Sequence, residues 1–268
     1  MRYRKKVVVQ NLKNSFPEKS AQEIEEISKE FYRFLSDLVI ENIKSTNTTA
    51  DVIKERMQVE LHEDYLKALK EKRNIILMIG HYGNWEYAQL RYSLMEERHR
   101  FVGIYKKIGN DLFDDFMFKS RGRFGTDLVE VKETSKHINT VHESGEPFIL
   151  ALVGDQTPSK ERGYWMDFLN QDTPVFFGAE HYAKKFNAQV FFCDIDRIKR
   201  GFYKYSVNPI LLEPLSSENG EITETHTKYL ESVINNKPEL WIWSHKRWKH
   251  RRPSELPENL ISTRFPGK

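Results

Sequence analysis

The segment NIILMIGHYGNWEYAQLRYSLM, residues 74–95, decides the fold that this sequence predicts. Its apolar run Ile75–Ile79 is typical of a fully buried strand. Helix-forming residues follow at 87–95, so the strand leads directly into a helix. Strands that are apolar throughout and alternate with helices are typical of a parallel sheet that is covered on both faces.

His81 lies at the carboxyl end of this strand, where open α/β sheets bind their ligands. Gly83 permits a tight turn, and Asn84 is a good N-cap for the helix. Glu86 can approach His81 only if His81 lies in the turn and Glu86 in the first helical turn. This pattern predicts a general base, His81, oriented by Glu86 beside the backbone N–H groups of an oxyanion site. The alternative is a strand-end histidine that only caps or packs.

Strand and helix patterns alternate along the rest of the chain. A capping box at 20–23 opens an amphipathic N-terminal helix, and a second helical stretch is predicted at 50–72. A long irregular segment is predicted at 155–178, and such loops are often functional. The other predicted elements are strands at 74–80, 101–106, 127–131, 148–153, 189–197 and 202–212, and helices at 84–97, 110–118, 135–144, 179–187 and 221–236.

The repeated strand–helix units predict an α/β fold. We expect a mostly parallel central sheet with helices on both faces, preceded by an N-terminal helical segment. The chain has no internal repeat and no Gly/Ser linker, which favours a single domain over residues 1–268. Within it, 1–72 would be the helical part and 73–268 the α/β core.

Composition limits the functional classes. The 268 residues are 39% hydrophobic and 30% charged, which is typical of a globular protein with a charged surface. The single cysteine, Cys193, excludes an internal disulfide and a four-thiolate zinc site, and its strand-like context favours a buried, inert thiol. No signal peptide is visible, and no apolar run reaches the roughly 18 residues that span a bilayer. We therefore expect folding in a reducing compartment, or on a membrane rather than through it.

Two arginines form a second candidate site. Arg121 and Arg123 lie at the end of a predicted helix and just before a strand. Guanidinium groups donate in a planar fork, so this pair is predicted to clamp an anion such as a phosphate. The alternative is that both are helix C-terminal charges favoured by the helix dipole.

Two further motifs follow apolar or irregular segments. Asp155 and Gln156 come directly after the most apolar strand, where an acid is either functional or a loop cap. Phe176 and Phe177 open a helix and form either core or the wall of an apolar pocket.

The two ends of the chain are rich in cations. Arg2, Arg4, Lys5 and Lys6 crowd the N-terminus, and residues 241–252 mix three tryptophans with five Lys or Arg. This pattern suits an anionic membrane interface, and it also suits nucleic acid or a charged tail over a tryptophan-lined core. The net charge of only +3 argues against nucleic acid as the main ligand.

Five ordered motifs carry a resemblance to a known family. They are His81 with Glu86, RGRFG at 121–125, GDQTP at 154–158, FFG at 176–178 and WIWSHKRWK at 241–249. In this order they resemble the late acyltransferases of lipid A biosynthesis, of the lysophospholipid acyltransferase type. Those enzymes add secondary acyl chains to Kdo-lipid IVA from acyl-acyl carrier protein. Residues 2–19 also resemble the segment that follows the membrane anchor of that family.

The resemblance implies an enzyme with acyl-acyl carrier protein as donor, a lipid A precursor or related glycolipid as acceptor, and no metal or other cofactor. It implies action at the cytoplasmic face of the bacterial inner membrane, either on its anionic surface or through an anchor helix that this sequence lacks. His81 would deprotonate the acceptor hydroxyl, and Glu86 would hold and stabilise the imidazolium.

The resemblance also gives expectations for the other motifs. Asn84, Arg121 and Arg123 would bind the oxyanion or anionic groups of the substrates. Asp155 would orient an arginine or a sugar hydroxyl, with Gln156 beside it, and Phe176 and Phe177 would contact substrate.

Direct transfer without an acyl-enzyme is expected, because the sequence has no Gly-x-Ser-x-Gly motif. Two alternatives remain at this stage. One is an acyltransferase for another glycolipid, an aminolipid or a lysophospholipid, and the other is a non-catalytic protein that binds membranes or nucleic acid.

Overall fold

A seven-stranded sheet forms the centre of the computed structural model, which describes residues 3–95, 99–107 and 109–267. The strands are β1 (Met57–Leu61), β2 (Ile75–Ile79), β3 (Arg100–Tyr105), β4 (Asp127–Glu130), β5 (Phe148–Val153), β6 (Tyr164–Phe168), β7 (Gln171–Val175), β8 (Gln189–Lys199) and β9 (Phe202–Leu211). The helices are α1 (Lys5–Ser15), α2 (Ala21–Ser45), α3 (Ala50–Arg56), α4 (Glu63–Lys70), α5 (Trp85–Ser93), α6 (Asp111–Gly122), α7 (Thr134–Glu143), α8 (Gly178–Phe186) and α9 (Glu221–Asn236).

The main sheet is mostly parallel. Its strand order is β1-β9-β8-β2-β5-β3-β4, and only the β8–β9 pair is antiparallel. The central strands β2 and β5 are apolar at every position and largely buried, as strands covered on both faces must be. The prediction of an α/β fold with an N-terminal helical segment is confirmed.

The N-terminal helices pack through the stripe that the sequence predicts. The Ser20 hydroxyl accepts from the backbone N–H of Glu23, whose side chain accepts in return from Ser20, so the predicted capping box is present. The buried side of α2 carries Ile24, Phe31, Phe34 and Leu38. α1 precedes it, although the sequence predicts no helix before residue 20.

The prediction of one helical stretch at 50–72 is wrong. The structure divides this stretch into α3, β1 and α4, and β1 pairs in parallel with β9 at the sheet edge. The sheet therefore begins within the part predicted to be helical. β1 is short, with exposed Gln58 and Glu60 alternating with buried or half-buried apolar residues, and its partner lies about 145 residues further along the chain. Local periodicity does not reveal such a long-range pairing.

Two other segments differ in detail from the predictions. The segment predicted as an irregular loop, 155–178, contains the antiparallel hairpin of β6 and β7. The predicted end of the helix after β2, Glu97, lies outside the described residues. Among the described residues, no helix has both the length and the apolar content that a membrane span requires.

Candidate active site

The carboxyl ends of β2 and β5 carry the two central groups of the site. The strands are parallel neighbours, with Ile79 paired to Val153. His81 and Asp155 each lie two residues beyond these positions, so the register brings them side by side. His81 Nδ1 is 2.6 Å from Asp155 Oδ1, and the His81 backbone N–H donates to Asp155 Oδ2 at 2.8 Å. The carboxylate thus holds both the ring and the main chain of the histidine.

Asp155 is buried and ionised. The indole N–H of Trp241 donates to Asp155 Oδ2 at 2.8 Å. Burial disfavours the charge, but the charge and hydrogen bonds of His81, together with the Trp241 hydrogen bond, lower the pKa of Asp155 to about 2. An ionised carboxylate only accepts hydrogen bonds, so the hydrogen in the 2.6 Å contact belongs to His81 Nδ1. The neutral imidazole therefore keeps its lone pair on Nε2.

The surroundings of His81 favour its protonation. Burial opposes the imidazolium of His81, as does the charge of Arg121. The charge and hydrogen bond of Asp155, with the charge of Glu86, outweigh these effects and raise the pKa of the imidazole. The side-chain nitrogen of Gln156 lies 3.3 Å from His81 Nε2, which is consistent with Nε2 as an acceptor.

The predicted contact between Glu86 and the imidazole of His81 is wrong. Glu86 lies in the first turn of α5 and binds Arg121, which donates through Nε at 2.9 Å and Nη2 at 2.5 Å. The indole N–H of Trp85 donates to Glu86 at 3.2 Å, and the Trp85 ring packs edge-on against His81 with centroids 5.1 Å apart. Asp155, expected to bind an arginine or a sugar, takes the place predicted for Glu86.

The two arginines predicted to form an anion clamp have different partners. Arg121 is held by Glu86, whereas Arg123 donates to the backbone carbonyls of Ser45 and Thr48, the latter at 2.6 Å. Ser45 is the last residue of α2, where the helix dipole favours a cation, and Thr48 lies in the loop that follows. The two guanidinium groups thus have separate partners within the protein, and the anion clamp stays a prediction.

Asn84 caps α5, as the sequence predicts. Its side-chain oxygen accepts from the Tyr87 backbone N–H at 2.9 Å, and its amide nitrogen donates to Glu41 at 2.7 Å. Gly83 forms the tight turn with φ of 61°, and its N–H donates to the Leu240 carbonyl at 3.0 Å. The Gly83 backbone N–H and the Asn84 side-chain amide, two donors expected near the oxyanion, thus have partners within the protein.

A comparison with protein families gives a match over most of the chain. The family described as bacterial lipid A biosynthesis acyltransferase matches residues 1–250. The chain belongs to this family. The prediction of an acyltransferase is therefore confirmed, and so is the resemblance that the five motifs carry. A search of curated proteins found no match.

The Phe-Phe pair lies next to the hairpin of β6 and β7. Phe177 stacks on Tyr164 with ring centroids 5.2 Å apart, and it packs with Met166 and Val175 in a small apolar cluster. Phe176 is exposed. Contact of this pair with substrate stays a prediction.

The C-terminal tryptophans of the acyltransferase belong to the protein interior. Trp241 and Trp243 are buried and pack edge-on at 4.7 Å, and the Trp248 indole donates to Thr173 at 2.7 Å. Of the alternatives left open for this segment, the tryptophan-lined core is thus the one that holds for Trp241 and Trp243. The role of Trp241 as a hydrogen-bond donor to Asp155 was not predicted, because no sequence pattern relates residues so far apart.

The basic ends of the acyltransferase meet in the structure. Arg4 donates to the Ser244 carbonyl at 3.2 Å, and Asn11 on α1 donates to the carbonyls of Trp243 and His245. Of the C-terminal cations, Arg247 is buried, and burial lowers the pKa of its guanidinium to about 10 although Asp155 acts against this. Arg2 lies outside the described residues.

Cys193 has the properties of an interior thiol in this acyltransferase. It is buried in β8, and burial together with the charge of Asp194 raises the pKa of the thiol well above its ordinary value. A thiol that is neutral and enclosed is a poor nucleophile, as the sequence context predicts. Within the described ranges, no group of three or more His, Cys, Asp and Glu side chains is arranged to hold a metal ion.

Proposed function

We propose that this acyltransferase moves a fatty acyl chain from acyl-acyl carrier protein to a hydroxyl of a lipid A precursor, with His81 as the general base. The observation that carries the proposal is the contact of His81 Nδ1 with the ionised, buried Asp155 at the adjoining ends of β2 and β5. It prepares Nε2 to accept a proton from a substrate.

The reaction follows from the position of this lone pair. His81 Nε2 removes the proton of the acceptor hydroxyl while its oxygen attacks the thioester carbonyl. The tetrahedral intermediate then expels the carrier thiolate, which receives the proton from the imidazolium. The ester bond forms as the thioester bond breaks, and His81 returns to its neutral state. Asp155 remains ionised and stabilises the imidazolium in between.

Arg121 is our candidate for stabilising the oxyanion. Glu86 engages its Nε–H and one N–H of Nη2, which are two of the five donors of a guanidinium. Glu86 also fixes the orientation of the group, and an oriented cation in a partly buried site is an effective partner for developing negative charge. We infer that Arg121 faces the oxyanion through its remaining N–H groups, and that Gln156, Phe176 and Phe177 contact the substrates.

The place of the reaction follows from the two proposed substrates. The carrier protein is cytoplasmic and the acceptor is a membrane lipid. We therefore infer that the protein acts at the cytoplasmic face of the bacterial inner membrane.

The raised pKa of His81 predicts a pH dependence. Because the neutral imidazole is the active base, kcat/KM should rise with pH through a value above about 6.5, the ordinary pKa of histidine. The charge of Glu86 raises this pKa, so Glu86→Gln should move the acid limb of the pH profile to lower pH. Initial rates between pH 5 and 9 locate the acid limb of the profile. If Glu86→Gln leaves this limb unshifted, Glu86 does not influence the pKa of His81.

The two arginines should respond differently to alanine. Arg121→Ala should lower kcat by about 10²- to 10³-fold, the usual cost of one oxyanion donor. Arg123→Ala should lower the melting temperature through loss of its bonds to Ser45 and Thr48, while kcat of the folded protein stays near that of the wild type. Steady-state kinetics and thermal unfolding on both variants make the comparison. The opposite pattern would exclude this assignment.

Acyl transfer itself is tested with defined donors and acceptors. The protein is incubated with acyl-acyl carrier protein or acyl-CoA, and with a lipid A precursor, lysophospholipids or total bacterial lipid. Mass spectrometry should show a lipid A precursor heavier by one acyl chain, with the carrier protein as the better donor. If another lipid is acylated and the lipid A precursor is not, that lipid is the acceptor instead. If no donor–acceptor pair gives a product, the proposed function is rejected.

A further inference from the structure

The outer side of α2 is apolar in its C-terminal half. Val39, Ile40 and Ile43 are exposed, and the spacing of one and four residues places them on one side of the helix. The opposite side faces the protein through Leu38 and Glu41, which are buried. We call the three exposed residues the outer stripe. Exposed aliphatic groups in such a row indicate contact with something other than water.

The outer stripe lies close to the candidate active site. On the inner side of the same helix, Glu41 accepts a hydrogen bond of 2.7 Å from Asn84, the N-cap of α5. Asn84 follows His81 by three residues. A helix with side chains is about 10–12 Å across, so one helix diameter separates the outer stripe from the turn that carries His81.

Exposed cations lie at the other end of the same helix side. Tyr32 lies eleven residues, or three helical turns, before Ile43 and therefore on the same side of α2. Its hydroxyl donates to the Tyr3 carbonyl at 2.7 Å, which brings the start of the chain to this side. Lys5 and Lys6 follow Tyr3 and are exposed. Neither forms an ion pair with any residue that the structure describes. Glu25 on the same side of α2 pairs with Lys29, and its carboxylate also interacts with the charge of Lys5. Lys5, Lys6 and Lys29 outnumber this one acid, so the row combines an apolar end near the site with an end at which cations are in excess.

We propose that the outer stripe docks this protein on an anionic lipid bilayer, with Lys5 and Lys6 held at the lipid headgroups. The aliphatic side chains of the stripe suit the acyl region, and the neighbouring cations complement anionic headgroups. The bilayer as occupant rests on the proposed function, in which the acceptor is a lipid. Docking through α2 brings His81 close to the surface from which that lipid is taken.

A second exposed apolar surface, on α6, does not carry the same inference. Leu112, Phe113 and Phe116 are exposed there, but Asp111, Asp114 and Asp115 lie on the same short helix. Lys107 and Lys119 pair with Asp111 and Asp115, so the surroundings of α6 offer no excess of positive charge for an anionic bilayer.

The stripe is tested on the full chain by co-sedimentation with vesicles. Wild type should bind vesicles of phosphatidylethanolamine and phosphatidylglycerol, and Ile40→Ser/Ile43→Ser should bind at least about tenfold more weakly. The matched control is Leu66→Ser/Leu215→Ser. These leucines are 50% and 65% exposed, close to the 49% and 62% of Ile40 and Ile43. These leucines lie before β2 and after β9, at the opposite end of the parallel strands, and their loss should leave binding unchanged.

The charged end has its own matched pair of variants. Lys5→Gln/Lys6→Gln should weaken binding at low salt and reduce its salt dependence, whereas Lys67→Gln/Lys70→Gln on α4 should do neither. Far-UV circular dichroism and melting curves on each variant show that the protein is folded. Equal binding by the stripe variant and its leucine control would overturn the proposal. A stripe variant that turns a dimer into a monomer, with vesicle binding intact, would assign the stripe to a second copy instead.

Transfer to an acceptor dispersed in detergent separates this proposal from the proposed function. Stripe variants that lose vesicle binding should keep the rate of the wild type on that acceptor. If the wild type transfers no acyl group but shows the expected vesicle binding, the proposed function fails and the docking surface stands. If transfer is normal and the stripe variants bind vesicles like the wild type, the docking surface alone fails.

Discussion

Replacing His81 with alanine should lower kcat/KM for acyl transfer by about 10²- to 10⁴-fold, the usual contribution of a general base. The protein should stay folded, because His81 lies in a turn beyond the end of β2 rather than within the strand. Single-turnover transfer from a labelled acyl carrier measures the chemical step, and thermal unfolding reports the folded state.

A second histidine–aspartate pair provides the control. His137 Nε2 lies 2.8 Å from Asp127, and its side chain is 28% exposed against 22% for His81. His137→Ala should therefore lose a similar contact without loss of transfer. Near-wild-type turnover by folded His81→Ala protein would contradict the assignment of the base.

Asp155→Asn should lower transfer by a comparable factor, since the analogous exchange in a Ser-His-Asp triad lowers kcat by about 10⁴-fold. Asp155 Oδ2 accepts from the His81 backbone N–H and from Trp241, so the amide oxygen of asparagine should stay there. The amide NH2 would then face His81 Nδ1 and donate to it. The imidazole would carry its hydrogen on Nε2, where it cannot accept the proton of the hydroxyl.

Two comparisons test this explanation of the Asp155 variant. His81→Ala/Asp155→Asn should be no less active than either single variant, because the two residues act as one unit. Asp127→Asn, in the second histidine–aspartate pair, should retain full activity. If the fold-losses of activity in the two single variants multiply in the double variant, Asp155 acts independently of His81.

The strands of the site were predictable because their patterns are local. The apolar runs of β2 and β5 mark both strands, and His81 and Asp155 stand where such strands end. The cap at Asn84 was predictable for the same reason, since capping depends on neighbours in sequence.

The partner of His81 was not predictable, because it depends on strand order. Glu86 is the carboxylate nearest to His81 along the chain, and it was therefore predicted to contact the imidazole. In the structure β5 is the neighbour of β2, although about 70 residues separate them, and this pairing supplies Asp155. The first helical turn of α5 instead directs Glu86 to Arg121. Edge strand β1 was missed for a related reason, because its pairing with β9 is also long-range.

The burial of the C-terminal tryptophans could not be predicted from composition. Aromatic and basic residues in alternation are typical of a membrane interface, yet Trp241 and Trp243 are buried and Trp241 supports Asp155. Nothing in the local pattern distinguishes an indole that faces a membrane from one that faces the core. The exposed aliphatic residues of α2 were not predicted to form a binding surface. The amphipathic pattern of that helix is fully explained by its buried side.

In the proposed mechanism, Asp155 holds His81 with hydrogen on Nδ1 and a lone pair on Nε2. Nitrogen-15 NMR of histidine-labelled protein, recorded above the pKa of the imidazole and assigned with His81→Ala, observes this directly. We expect His81 to show a protonated Nδ1 and an unprotonated Nε2, and Asp155→Asn to reverse the two. A wild-type His81 that carries its hydrogen on Nε2 under these conditions would rule out His81 as the base in this mechanism.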